Sequence, residues 1–137
     1  MIDKVKFIND SKATTADSAI WALNSISSPV ILIAGGRHKG IDYRVILEAA
    51  RDKVKQAVLI GEAKDKIAVD LNGAFPIEKV GSLEEAVNKA YSLAGPGFSV
   101  LFSPMCSSFD MFADYEDRGR AFKRIVLELD RRNNPHG

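Results

Sequence analysis

The stretch Val30-Ile31-Leu32-Ile33-Ala34-Gly35-Gly36 places five uncharged apolar residues directly before two glycines. A short apolar run of this kind is typical of a strand that is buried on both faces, as the central strands of parallel sheets are. Paired glycines after the strand permit backbone conformations, or a close approach, that a Cβ would obstruct. The stretch therefore predicts a central parallel strand that ends at the edge where open α/β sheets bind their ligands.

Short apolar runs alternate with longer segments of helical period on both sides of this stretch. Further strands are predicted at residues 5–8, 57–60, 77–80 and 99–102. Helices are predicted at residues 16–26, 45–50, 82–93 and 110–130. A capping box at Ser82-Leu83-Glu84-Glu85 opens the third of these helices. The pattern indicates an α/β fold with a Rossmann-like, mostly parallel sheet, helices on both faces and one antiparallel edge strand.

Length and charge limit the classes of function. The chain has 137 residues, and we expect one domain at residues 1–130 with a disordered tail at residues 131–137. A formal net charge of +1 gives no electrostatic footprint for nucleic acid or for an anionic membrane surface. No run approaches the roughly 20 apolar residues that a membrane span needs, so we expect a cytoplasmic protein.

The single cysteine, Cys106, cannot form an internal disulfide. One cysteine and two separated histidines cannot make a structural zinc site either, and we expect no metal ligands in this chain. We interpret Cys106 as an inert, partly buried thiol because no histidine lies near it in the sequence.

The first of three polar segments that could carry chemistry is Asn9-Asp10-Ser11-Lys12-Ala13-Thr14-Thr15. A turn at its aspartate or serine and a helix cap at either threonine would account for most of these residues. Lys12 is not accounted for in this way. It places a cation in a short connection beside a helix N-terminus, where an anion would be stabilised.

The second segment is Gly35-Gly36-Arg37-His38-Lys39-Gly40-Ile41-Asp42-Tyr43. It places three basic side chains at the carboxyl edge of the sheet, where they could receive a carboxylate or a phosphate. Its spacing fits neither a Walker A loop nor a Gly-x-Gly-x-x-Gly turn, so the chain should not hydrolyse ATP alone. The alternative is a tight turn with solvated charges, in which Asp42 caps the next helix.

The third segment begins with Ser103-Pro104-Met105-Cys106-Ser107-Ser108-Phe109-Asp110 and continues to Gly119. Its serines and the backbone amides of a loop that enters a helix would form a polar cup, which suits a carboxylate. Phe109 and Tyr115 could form the walls. No nucleophile with a base is apparent, and we expect no catalytic residue here. In the alternative, Ser108 or Asp110 only caps the helix and the aromatic side chains belong to the core.

Together and in this order, the three segments resemble the C-terminal domain of the Mur ligase family, and within it the ligases that add D-glutamate. The resemblance covers the chain from Val5 to about Asp130. Its strongest match is Asn9-Asp10-Ser11-Lys12-Ala13-Thr14, because ligases of the family that add other residues usually carry a different signature there. The Gly35-Gly36 turn with Lys39 matches independently, as does the segment from Ser103 through Glu116-Asp117-Arg118-Gly119.

This resemblance implies a substrate-binding domain of the ATP-dependent ligase that joins D-glutamate to UDP-N-acetylmuramoyl-L-alanine in peptidoglycan precursor synthesis. In the family, the precursor's carboxylate is activated as an acyl phosphate, which the amine of D-glutamate then attacks. A central ATPase domain, the partner in cis, binds most of the ATP and Mg²⁺, so the present chain should be inactive alone. The residues that match the family's D-glutamate pocket are Lys39, Thr14, Ser108, Phe109 and Tyr115. Those that match its nucleotide-facing positions are Asp10 and Lys12.

Two positions depart from the family pattern. His38 stands where relatives often have an acidic residue, and Thr15 stands where asparagine is common. The alternative hypothesis is a free-standing regulatory α/β module that binds an amino acid or a nucleotide without turnover, and a third is a purely structural or interaction domain. A sensor would bind its ligand tightly in isolation, whereas a severed ligase domain would bind D-glutamate weakly.

Overall fold

The computed structural model describes residues 2, 4–12, 14–37, 40, 42–106 and 112–133. Its helices are α1 (Ala16–Ser25), α2 (Leu47–Ala50), α3 (Lys64–Asp70), α4 (Leu83–Leu93) and α5 (Tyr115–Asn133), with a 3₁₀ turn at Tyr43–Ile46. Its strands are β1 (Lys6–Asn9), β2 (Val30–Gly35), β3 (Val54–Ile60), β4 (Ile77–Lys79) and β5 (Ser99–Phe102). The strands form one sheet in the order β1-β5-β2-β3-β4, which confirms the predicted α/β class.

The central strand β2 is buried along its whole length. Leu32 and Ala34 belong to a core that includes residues of α1, α2 and α3, whereas Ile31 and Ile33 belong to a second core with α4 and α5. This division follows from the alternation of side chains across a strand. Because burying one such aliphatic side chain contributes roughly 1.5–3 kcal/mol, the apolar run joins both helical layers to the sheet.

Both edge strands run parallel to their neighbours, so the expectation of an antiparallel edge strand was wrong. β1 pairs in parallel with β5, and β4 pairs in parallel with β3. A helix lies between consecutive strands of the chain, and such crossovers return the chain to the same end of the sheet. The structure records antiparallel pairing in an isolated bridge between Ile2 and Val5.

The helix boundaries differ from the prediction in two places. Helix α3 was not predicted, since Ile67 is its one buried residue and its apolar pattern is therefore weak. Helix α5 begins at Tyr115 and continues to Asn133, so residues 131–133 are helical where we expected a tail. The guanidinium of Arg132 donates to Asn88 Oδ1 of α4 at 3.2 Å, which holds this last turn in place. Residues 134–137 lie outside the described part of the chain.

The N-cap predicted at Ser82 is present, and Thr15 and Asp42 also cap helices, as the alternative interpretations of the first and second polar segments had it. Thr15 Oγ1 accepts the Ser18 N–H of α1 at 3.3 Å, and Ser82 Oγ accepts the Glu85 N–H of α4 at 3.1 Å. Asp42 accepts the Arg44 N–H at the start of the 3₁₀ turn, at 3.0 Å. Each cap satisfies a backbone donor that would otherwise lack a partner within the helix.

Candidate functional site

The carboxyl ends of β1, β5 and β2 lie side by side, because these strands are neighbours in the sheet. The Asp10 N–H donates to Phe102 O at 2.9 Å, which joins the residue after β1 to the end of β5. The Ser103 N–H donates to Ile33 O at 3.1 Å, which joins the residue after β5 to β2. The fold therefore brings the first residues of all three polar segments to one edge.

The glycine turn after β2 has the backbone that the sequence indicated. Gly35 and Gly36 have φ values of 127° and 144°, which residues with a Cβ rarely adopt. The Gly35 N–H donates to Pro104 O at 3.0 Å, and Gly36 O accepts the Ala63 N–H at 2.8 Å. The turn is thus held between the segment after β5 and the start of α3.

Asp10 and Lys12 are among the residues that line a groove. Both line a space of about 930 Å³ along β1 and α1, whose other lining residues include Lys6, Trp21 and Phe98. Burial raises the pKa of the Asp10 carboxyl, while the charge of Lys12 opposes that rise. Lys12 itself is exposed. A carboxylate and an ammonium therefore stand next to each other beside a space large enough for a ligand.

Ser103 lies buried beside Asp10. Its hydroxyl helps to hold the pKa of the Asp10 carboxyl down, but within the described residues no hydrogen bond of ordinary length and angle joins Ser103 Oγ to another group. We attribute its effect on Asp10 to proximity. A buried hydroxyl without a proper partner costs free energy, and such groups are rare in native structures.

Arg118, in the first turns of α5, is 1% exposed. Its Nε donates to Ser11 Oγ at 3.0 Å and one terminal nitrogen donates to Ser11 O at 2.7 Å. The other terminal nitrogen donates to Cys106 O at 2.9 Å. The guanidinium carbon also lies 5.8 Å from the centre of the Phe102 ring. Arg118 therefore connects the first and third polar segments through α5.

Ser11 and Asn9 fasten the first segment to the same helix. Ser11 Oγ donates to Tyr115 O at 2.7 Å, and Asn9 Nδ2 donates to Gly119 O at 2.9 Å. A Cβ on Gly119 would lie 3.3 Å from the Cβ of Ser11, so the helix packs closely against this segment. Our sequence interpretation gave Ser11 only a turn role, and it did not include Asn9 or Arg118 among the site residues.

A sequence signal for Arg118 was available. Residues 118, 122, 125 and 129 share one face of α5 at helical spacing, and all four are buried. An arginine on an otherwise apolar stripe must either have hydrogen-bond acceptors inside the fold or distort the packing. The pattern could therefore have predicted that Arg118 forms buried hydrogen bonds with other segments of the chain.

The predicted D-glutamate residues are only partly within the described chain. Thr14 is half-buried and its N–H donates to Lys12 O at 2.8 Å. Tyr115 is the first residue of α5 and is 46% exposed. Lys39, Ser108 and Phe109 lie outside the described residues, as does His38.

Cys106 is fully buried, where we expected a partly buried thiol. Its Sγ lies 3.2 Å from the hydroxyl of Tyr43. Burial, and then the interaction with Cys106, raise the pKa of Tyr43. Over the described ranges there is no group of three or more His, Cys, Asp or Glu side chains that could hold a metal ion. In the same ranges no helix is both long and apolar enough to cross a membrane.

Comparisons with known proteins identify the family of the chain. The family "Mur ligase, glutamate ligase domain" matches residues 1–106. The UDP-N-acetylmuramoylalanine--D-glutamate ligase of Chlorobaculum tepidum is 53% identical over 125 residues, which are 91% of this chain and 27% of that protein. The ligase of the same name from Caldanaerobacter subterraneus subsp. tengcongensis is 45% identical over 134 residues, which are 95% of this chain and 30% of that protein.

A solved structure shares the fold. It is a domain assigned to a UDP-N-acetylmuramate:L-alanyl-gamma-D-glutamyl-diaminopimelate ligase of Haemophilus ducreyi, with a TM-score of 0.51 at 12% identity. The likeness covers 94% of this chain and 91% of that one. The chain spans less than a third of the length of the two curated relatives above. From the match over residues 1–106 and the identity to these relatives, the chain belongs to the Mur ligase family, as a glutamate ligase domain.

Proposed function

We propose that this chain is the C-terminal, substrate-binding domain of the cytoplasmic ATP-dependent ligase that joins D-glutamate to UDP-N-acetylmuramoyl-L-alanine. The main support is the convergence of three polar segments at the neighbouring ends of β1, β5 and β2, in a chain whose curated relatives carry that ligase's name. One small ligand at this edge can contact more than one segment. The domain would extend beyond the predicted end at residue 130, to the end of α5 at Asn133.

The amino-acid pocket would be built from residues of all three segments. D-Glutamate has two carboxylates and one amine, so a lysine for one carboxylate and neutral donors for the other provide two distinct anchors. Ser11 and Arg118 fasten the segment that contains Thr14 to the one that contains Tyr115, which supports a shared pocket. We assign to this pocket Lys39, Thr14, Ser108, Phe109 and Tyr115.

Asp10 and Lys12 would face the nucleotide. A carboxylate accepts hydrogen bonds from ribose hydroxyls, and an ammonium attracts phosphate oxygens, so both side chains fit such a ligand. Both residues line the groove along β1 and neither is fully buried, so a ligand in this space can reach them. ATP and Mg²⁺ would be bound mainly by the central domain of the complete ligase, outside this chain.

The contribution of this domain to the reaction would be orientation and the exclusion of water. The amine of D-glutamate attacks the acyl phosphate of the precursor, and the tetrahedral intermediate collapses to the amide and phosphate. Holding the amine in line can be worth up to about 7–11 kcal/mol. Closure of the domain would keep water from hydrolysing the acyl phosphate. Without the ATPase part, the chain alone would be inactive.

An NMR titration of the ¹⁵N-labelled chain with D-glutamate, L-glutamate and ADP tests the proposal. We expect D-glutamate to shift amides near Lys39 and Ser108 with weak affinity, and the shifts to disappear in Lys39→Ala. The matched control is Lys55→Ala. Lys55 is exposed at the amino end of β3, whereas the proposed site lies at the carboxyl ends of the strands. Shifts confined to distant helices would contradict the proposal, and tight binding by the isolated chain would favour a sensor.

A further inference from the structure

We infer that Arg118 is a positioning residue that holds the segment after β1, at Ser11, and the segment after β5, at Cys106, in one fixed arrangement. The inference rests on the proposed function and extends it to a residue that touches neither ligand in that assignment. Its basis is the set of contacts that the buried guanidinium makes with Ser11 and Cys106.

The three donors of Arg118 reach two different segments. Two of them bind Ser11, through its hydroxyl and its carbonyl oxygen, and the third binds the carbonyl oxygen of Cys106. The centre of the ring of Phe102, the last residue of β5, lies 5.8 Å from the guanidinium carbon. A planar guanidinium directs its donors in fixed directions, so the relative position of the two acceptor segments is fixed as well.

The contacted residues adjoin the assigned ligand positions. Ser11 stands between Asp10 and Lys12, and Cys106 is followed after one residue, Ser107, by Ser108. Because consecutive Cα atoms are held about 3.8 Å apart, a shift of Ser11 would move its bonded neighbours Asp10 and Lys12 as well. A displacement on the order of 1 Å is large enough to weaken an oriented ligand contact.

A second set of bonds strengthens the connection. Ser11 Oγ accepts from Arg118 Nε and donates to Tyr115 O, so one hydroxyl links the guanidinium to the first residue of α5. Tyr115 is itself assigned to the D-glutamate pocket. Ser11 and Arg118 therefore should act as one unit, and their contributions to ligand affinity should not be additive.

Lysine cannot replace this arrangement. Arg118→Lys keeps the positive charge but offers one compact ammonium instead of a rigid fork of donors, so it cannot hold Ser11 Oγ, Ser11 O and Cys106 O together. The variant thus separates geometry from charge. Arg120→Lys is the matched control, because Arg120 is an exposed arginine two residues further along the same helix.

The experiment measures the dissociation constant for D-glutamate of the chain by NMR, together with its melting temperature. We expect Arg118→Lys to weaken binding by about tenfold, a loss typical of a disrupted support for a site, and Arg120→Lys to leave it unchanged. A purely structural role would lower the melting temperature and leave the dissociation constant of the folded protein unchanged, which would overturn the inference.

Ser11→Ala keeps the test decisive if Arg118→Lys does not fold, because it removes one hydroxyl only. It should weaken D-glutamate binding several-fold, and unchanged binding would contradict the inference. Where both variants fold, the double variant should lose little more than Arg118→Lys alone, whereas fully additive losses would show that the two residues act independently. If the unmodified chain gives no shifts with D-glutamate, the proposed function itself fails, and this outcome differs from normal binding by the variants.

Discussion

Gly35 and Ile60 approach so closely that a Cβ on Gly35 would lie 2.0 Å from the carbonyl oxygen of Ile60. The two residues are register partners at the carboxyl ends of β2 and β3. The neighbouring atoms are backbone and cannot rotate away. Glycine is therefore required for β2 and β3 to remain paired up to the segment that contains Lys39.

Gly35→Ala should lower the free energy of unfolding by about 3 kcal/mol, from steric overlap together with an unfavourable positive φ. Urea denaturation measures this loss. The control is Gly73→Ala, since Gly73 has a φ of 87° but, apart from its own chain neighbours, no described residue has an atom within 4 Å of the point where a Cβ would lie. Its cost should be about 1–2 kcal/mol, and equal losses in the two variants would contradict the steric argument.

Thr14 and Thr15 are adjacent, but we expect one to contribute to ligand binding and the other to stability. Thr15→Ala removes the N-cap of α1 and should cost about 1 kcal/mol of stability without a change in D-glutamate affinity. Thr14→Ala should instead weaken D-glutamate binding in the NMR titration. The assignment of Thr14 would be wrong if the two variants gave the same affinities.

Asp10 should make stability fall as the pH rises. Burial raises the pKa of its carboxyl above 3.8, so the folded state binds the proton more tightly than the unfolded state does. Relative to Asp10→Asn, the unmodified chain should therefore lose stability as the pH rises from below 3.8 through the folded pKa. Denaturation curves across this range measure the difference.

Asp65 is the control for Asp10, because the pKa of its carboxyl is shifted in the opposite direction. Lys79 lowers the pKa of the Asp65 carboxyl, so the stability that Asp65 contributes should be present above pH 3.8 and lost as the pH falls below it. Asp65→Asn should remove that dependence. If Asp10→Asn and Asp65→Asn changed the pH dependence of stability in the same direction, burial could not be the dominant effect at Asp10.

Substitution by alanine should affect stability differently at two buried serines, one in β5 and one just after it. Ser99 Oγ is 2.6 Å from Ser28 Oγ, whereas Ser103 Oγ has no hydrogen bond of ordinary geometry to any residue that the structure describes. Ser99→Ala should cost about 1 kcal/mol, and Ser103→Ala should be neutral or stabilising by up to about 1 kcal/mol. Thermal denaturation measures both. A clear loss in Ser103→Ala would show that its interaction with Asp10 outweighs the cost of burying the hydroxyl.

Most of the fold was predictable because its signals are local. The apolar runs at β2, β3 and β5 are short and bounded by turn residues, as buried strands are, and the caps at Thr15 and Ser82 depend on residues three positions apart. Helix α3 escaped prediction because only Ile67 among its residues is buried. The edge strands carry little burial signal, and their direction depended on the crossovers rather than on their own residues.

The sequence alone determined the α/β class, the positions of the strands, the N-caps and the three polar segments, because each depends on neighbours within a few residues. Only the tertiary structure decided that the ends of β1, β5 and β2 stand side by side and that Arg118 binds Ser11 across 107 positions of the chain. Strand order and buried hydrogen bonds of this kind join residues far apart in sequence, and folding selects them by the packing of the whole core.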